Sequence, residues 1–101
     1  MGFQIGGAIL DFVVLSILQR GDTYGYEITQ QVRKILDVSE TSLYPALRRL
    51  QKGGLLTTYD KPWQGRNRRY YSLTDEGRAL LAQHIREWQQ FKRDMDELLE
   101  G

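Results

Sequence analysis

Between Ser39 and Gly77 the chain changes its hydrophobic period twice, and that change limits what it can fold into. Leu43, Leu47 and Leu50 recur at helical spacing, which predicts a helix over residues 40–52, capped by Ser39 or Thr41. Gly53-Gly54 stops it. Residues 55–59 and 68–73 are rich in Thr, Tyr and Leu and read as strands. Residues 61–67, with Pro62 and Gly65, read as a turn. That loop looks too long for a two-residue hairpin turn. Thr74 then caps a long helix over 75–99, with Asp75 and Glu76 where the helix dipole favours acids. Gly77 stands where a full capping box would have Glu or Gln.

Two helices precede this unit. Residues 5–18 are apolar almost all round, as in a helix buried on more than one side. The second helix spans 24–36, with Ile28, Val32 and Ile35 inward and Asp22 or Thr23 as its cap. Gly25 weakens the start of this helix, and its small size suggests close packing there. In the last helix, Leu81, Ile85, Trp88, Lys92, Met95 and Leu99 alternate steps of four and three, a heptad seam with Phe91 and Leu98 beside it.

Length and charge narrow the possibilities further. A chain of 101 residues fits one domain, and so small a core is often supplemented by dimerisation. Residues 1–73 hold ten Lys/Arg against six Asp/Glu, whereas 74–101 hold four against seven. A basic front of that kind attracts a polyanion, and the acidic tail should point away from it. The chain has no cysteine, so disulfides and thiolate metal sites are excluded. The apolar run at 8–18 is interrupted by Asp11 and too short to span a bilayer; a cytoplasmic protein without a membrane role is expected.

Helix, helix, helix, strand, wing, strand, helix is the order of a winged helix-turn-helix: mainly α with a small β-hairpin (α+β). It divides into a DNA-binding part, 1–73, and a C-terminal dimerisation helix, 74–101, forming one compact unit. Four stretches sharpen the reading: Tyr24-Gly25-Tyr26-Glu27-Ile28, Leu43-Tyr44-Pro45-Ala46-Leu47-Arg48-Arg49-Leu50, Gly54-Leu55, and Arg69-Tyr70-Tyr71-Ser72-Leu73-Thr74-Asp75-Glu76-Gly77. In this order they resemble the PadR-like family of bacterial transcriptional regulators over residues 8 to about 90. The length resembles the short subfamily, in which one C-terminal helix provides the dimer interface. Where the family often has Gly-Thr before Leu-Tyr, this chain has Thr41-Ser42, which implies an altered base preference.

Placed on this scheme, the third helix is the recognition helix. Thr41, Ser42 and Tyr44 lie near its N-terminus, the end that meets base edges or phosphates, and Arg48 can reach phosphate or guanine. Tyr44 can equally be core. Lys61, Arg66 and Arg68 on the wing suit phosphates or the minor groove; alternation puts Arg69 and Tyr71 on the opposite face from Arg68 and Tyr70. Trp63 is expected to pack on Pro62. Tyr24 suits a phosphate at the start of the second helix, a role the resemblance strengthens, while Tyr26 can be core.

The seam predicts a homodimer interface of Phe12, Leu81, Ile85, Trp88, Phe91, Met95 and Leu98, with the last helix packed on the partner's first helix. Trp88 serves as an anchor or, facing its own copy, sandwiches a planar aromatic effector. Ile5, Ala8, Phe12, Ile85 and Lys92 would line that cavity with it. Expected partners are therefore a pseudo-palindromic operator duplex, a second copy and an aromatic effector that releases repression. No cofactor, metal or catalysis is expected: His84 has no histidine or cysteine company, and no nucleophile turn or phosphate loop occurs. The alternative is a winged-helix interaction or ligand-binding module without sequence-specific DNA binding.

Overall fold

The computed structural model describes residues 7–101, with side chains from Ile9 onward. Four helices and three short strands follow one another: α1 (Gly7–Gln19), β1 (Thr23–Tyr24), α2 (Gly25–Arg33), α3 (Glu40–Lys52), β2 (Leu56–Trp63), β3 (Arg66–Leu73) and α4 (Asp75–Glu100). The strands form an antiparallel sheet in the order β1-β3-β2, so the hairpin gains a two-residue third strand from just before α2. This is a winged helix with a long C-terminal helix.

The core lies where α1, α2 and α3 meet the sheet and the first turns of α4. Val14, Leu15, Leu18, Ile28, Val32, Leu43, Leu47 and Leu50 are buried there with Leu56, Tyr71, Leu73 and Leu81. Each is presented by the period of its own element: every third or fourth residue of α3, every second residue of β3.

Several local expectations are corrected. α2 ends at Arg33, not at residue 36. Ile35 is 67% exposed and so outside the inward stripe, while Leu36 and Val38 fold back onto the core. The Arg33 Nε donates to the Val38 carbonyl across this turn. Neither Asp22 nor Thr23 caps α2; Tyr24 is its N-cap residue, without a side-chain cap bond. Thr23 pairs in the sheet instead, and the Asp22 carboxylate accepts the Tyr59 hydroxyl at 2.7 Å.

The hairpin turn is tight. β2 and β3 pair as far as Trp63 opposite Arg66, leaving only Gln64 and Gly65 between them. Both have positive φ, 49° and 79°, which gives the two-residue turn a twist matching the strands. Pro62 does not end β2 because β2 is an edge strand, where a residue lacking an N–H is tolerated.

Of the two caps expected for α3, Ser39 is the one observed, and Thr74 caps α4 as expected. The Ser39 hydroxyl accepts from the Ser42 N–H, and the Thr74 hydroxyl from the Gly77 N–H. Gly77 replaces the capping-box glutamate for a steric reason: a Cβ there would lie 2.2 Å from the Leu55 carbonyl oxygen.

Candidate nucleic-acid interface

α3 turns its leucines and Ala46 into the core, which leaves Thr41, Tyr44, Arg48 and Gln51 along its outer face. Thr41 and Ser42 are exposed at the N-terminal tip, next to the Ser39 cap. Pro45 sits inside the helix without interrupting it. Arg49, one step round from Arg48, forms an ion pair with Asp11 of α1.

Tyr44 lies at the boundary between core and surface. Its ring lies against the start of α2, where a Cβ on Gly25 would meet the Tyr44 hydroxyl at 2.8 Å. It still keeps 37% of its surface exposed. Gly25 thus admits a tyrosine from α3 to the N-terminus of α2, a close approach that an alanine would obstruct.

The wing has two chemically different faces, divided as strand alternation requires. Tyr71, Leu73 and Leu56 point to the core, and further out on that face Asp60 and Arg69 pair at 3.9 Å. The opposite face carries Tyr59, Lys61, Trp63, Arg66, Arg68 and Tyr70, continued by Tyr24 of β1. Here aromatic rings and cations interleave. Tyr59 stacks on Tyr70, and the Lys61 ammonium lies 4.9 Å from the centre of the Tyr70 ring. The Arg68 guanidinium carbon lies 3.6 Å from the centre of the Trp63 ring and 3.9 Å from that of Tyr24. Arg68 is thus a neighbour of Trp63 on this face, whereas alternation puts Pro62 on the other.

Between α3, the start of α2 and the wing runs an open groove of about 640 Å³. Its walls include Tyr44, Arg48 and Gln51 from α3, Tyr24 and Tyr26 from the start of α2, and Asn67, Arg68 and Arg69 from β3. Asp60 is the acid among its lining residues and is already paired with Arg69. Such a wall offers hydroxyls, amides and guanidinium groups, which suits phosphates and base edges.

The structure brings Tyr24, Tyr44, Arg48 and Arg68 together on this groove. Thr41 and Ser42 lie at the exposed tip of α3, and Lys61 and Arg66 on the exposed wing. Sequence reasoning missed Gln51 and Asn67, and left Tyr26 and Arg69 open. Tyr26 is 60% exposed. Its i to i+2 spacing from Tyr24, across the start of a helix, was the available signal.

The wing is tied down at its base. The Tyr59 hydroxyl, and after it the Ser72 hydroxyl, hold the Asp22 carboxyl below the usual carboxylate range. Asp22 in turn raises the Tyr59 phenol above its ordinary value. Burial pushes the Tyr71 phenol up as well.

The seam residues of α4 divide. Leu81 is 2% exposed in the subunit's own core, so it is not available to a dimer interface as the heptad spacing suggested. Ile85 and Phe12 also pack against this core while remaining partly exposed. Further along, Trp88, Phe91 and Met95 are half-buried, and Lys92, Leu98 and Leu99 are exposed. The Phe12 ring lies 6.5 Å from Trp88 and 5.7 Å from His84. The His84 Nδ1 is 3.3 Å from a Glu87 carboxylate oxygen. Ile5 and the Ala8 side chain lie outside the described residues. Among the described residues no group of side chains could hold a metal ion, and no helix is long and apolar enough to cross a membrane.

Comparison with known proteins agrees with this geometry. A family described as the transcriptional regulator PadR-like family matches residues 14–83. The crystal structure of smu.1704 from Streptococcus mutans UA159 superposes with a TM-score of 0.90 at 38% identity, covering 100% of this chain and 95% of that one. Transcriptional regulator Rv3488 of Mycobacterium tuberculosis is 36% identical over 75 residues, which is 73% of this chain and 70% of that protein. Bacillus subtilis PadR, solved in complex with operator DNA, shares the fold at a TM-score of 0.72 and 23% identity, covering 80% of this chain and 48% of its own. A winged helix with cations and hydroxyls along α3 and the wing, matched over most of its length by these relatives, belongs to the PadR-like family of transcriptional regulators.

Proposed function

We propose that the chain acts as a homodimeric repressor. Two recognition helices and two wings grip a pseudo-palindromic operator and release it when a planar aromatic molecule enters between the subunits. The observation that supports DNA binding best is the groove between α3 and the wing, where Arg48, Arg68 and Arg69 stand among tyrosines, Gln51 and Asn67. In this reading Thr41, Ser42 and Gln51 meet base edges, while Tyr24, Tyr44, Arg48, Lys61, Arg66 and Arg68 hold phosphates or the minor groove. The operator complex of Bacillus subtilis PadR supports duplex DNA as the occupant.

The shape of α4 supports pairing. Its 26 residues make a rod about 39 Å long, and at its end Leu98 and Leu99 are 72% and 75% exposed. A second copy would cover them together with Met95 and Phe91, and with the outward sides of Phe12, Ile85 and Trp88. A flat molecule held between the two Trp88 rings, beside Lys92, would change the angle between subunits and hence the spacing of the reading heads. Release then requires that the molecule bind the two subunit arrangements with different affinity.

The test is retention of genomic DNA fragments by the purified protein across a salt series. Arg66→Ala is expected to weaken specific and random duplex alike and to lower the salt slope by about one. Thr41→Ala with Ser42→Ala is expected to reduce the preference for retained fragments over random duplex. Retention indifferent to salt would refute DNA binding. A monomer at working concentration in sedimentation would refute the paired arrangement. The effector is read by quenching of Trp88 in a Trp63→Phe background, which removes the chain's other tryptophan.

A further inference from the structure

We infer that Trp63 is a positioning residue: with Tyr24 it clamps the Arg68 guanidinium so that only its N–H edge is left to meet an acceptor on DNA. This inference rests on the wing reading proposed above and goes beyond it by assigning Trp63, which has no part in that reading, and by separating Arg68 from the other wing cations.

Lys61 and Arg68 are directly opposite each other on adjacent strands, an arrangement in which like charges repel. Here the two heads part onto different rings. Lys61 goes to Tyr70, and Arg68 goes to Trp63 and Tyr24. Ring centres 3.6 Å and 3.9 Å from one carbon fit an arrangement with one ring against each face of the group, which is the clamp we infer. Guanidinium donors all lie in the plane of the group. A guanidinium covered on both faces therefore donates only edge-on, the geometry for a bidentate bond to a phosphate or a guanine edge.

The clamp also spans two elements. Tyr24 begins α2, and Trp63 ends β2 beside the turn. Arg68 thereby fixes the wing to the helix whose N-terminus faces the groove. Trp63 remains 45% exposed, which a residue serving only the core would not be. An arginine ordered in advance loses less side-chain entropy on binding than a free one.

Four variants, Trp63→Leu, Trp63→Phe, Arg68→Ala and the double variant Trp63→Leu/Arg68→Ala, are compared with wild type on a short random-sequence duplex. Phosphate contacts suffice for such binding. Trp63→Leu keeps every cation, so the salt slope should stay unchanged while affinity falls about three- to tenfold. Trp63→Phe keeps a ring and should recover most of that loss. Arg68→Ala should lower the slope by about one. On that background Trp63→Leu should cost nothing further. Unchanged affinity in Trp63→Leu overturns the inference, as does an equal loss with and without Arg68, since Trp63 would then act on DNA or on the wing by itself.

The Arg68 Nε–H proton resonance reads the clamp without DNA. It should be shifted upfield by the rings in wild type and return in Trp63→Leu; an unshifted wild-type resonance overturns the clamp. A shifted resonance in a protein that binds no duplex identifies the wing reading as the part that failed, and the positioning role falls with it.

Discussion

Replacing Gly77 with alanine sets two effects of opposite sign against each other. Gly77 is the third residue of α4, and alanine there should favour the helix by about 1 kcal/mol. The added methyl would lie 2.2 Å from the Leu55 carbonyl oxygen and 3.1 Å from a Leu73 methyl. The nearer neighbour is backbone and cannot turn aside. Relief requires α4 and the start of β2 to separate by roughly 1 Å, well beyond what a packed interior yields without loss. Overpacking of this kind costs about 1–3 kcal/mol. The separation also stretches the bond from the Thr74 N–H to the Leu55 carbonyl and that from the Thr74 hydroxyl to the Gly54 carbonyl, each worth about 1 kcal/mol. Sterics win, with a net loss of about 2–3 kcal/mol after the helix gain is subtracted. For a chain of this size that lowers Tm by roughly 10–20 °C. The assay is thermal unfolding followed by circular dichroism at one fixed protein concentration, since the proposed pairing would make Tm concentration-dependent. Ala79→Gly, at an exposed position of the same helix, calibrates propensity alone and should cost about 1 kcal/mol. A Gly77→Ala protein as stable as wild type, or more stable, would refute the steric argument.

Three further outcomes are expected. Leu81→Ala should lower stability by about 2–5 kcal/mol, as for any leucine removed from a core, whereas Leu98→Ala should change dimer dissociation and leave urea unfolding of the subunit nearly intact; the reverse pattern would restore Leu81 to the seam. Gly25→Ala should displace the Tyr44 ring, a flexible neighbour, so DNA affinity should fall more than Tm; equal stability and affinity would show that the close approach has no bearing on binding. The wing tie should be pH-sensitive at both ends. Asp22 has a depressed carboxyl value in the fold, so its stabilisation is complete above the unfolded value of about 3.9 and is lost as pH falls through the folded one. Tyr59 is raised, so its share is complete below about 10 and is lost as pH rises through its higher folded value. Asp22→Asn should bring the Tyr59 titration, followed by its ring carbon resonance, back toward the ordinary phenol value, and an unmoved titration would remove Asp22 as the cause.

Much of this fold was legible before any coordinates, because its helices are written locally. The leucine spacing of α3, the Ser39 and Thr74 caps and the Gly53-Gly54 stop depend on neighbours within a turn or two, and each was found where expected. The two faces of the wing followed from alternation alone. What failed depended on strand neighbours and on backbone angles that the residue types did not announce. Pro62 and Gly65 read as a long loop, yet an edge strand tolerates the proline, and positive φ at Gln64 and Gly65 closes the turn.

The third helix with its outer hydroxyls and arginine, the basic wing and the acidic tail helix were determined by the sequence itself, through period, caps and charge. Which seam residues serve the subunit's own core was not, since a heptad records that a stripe is apolar and not what covers it; Leu81 meets its own core, while Leu98 remains outside. Nor could the sequence assign Trp63 to Arg68 and Tyr24, or explain a glycine at 77. Those depend on which atoms of remote segments come within a few ångströms of one another, a quantity that exists only once the chain has closed.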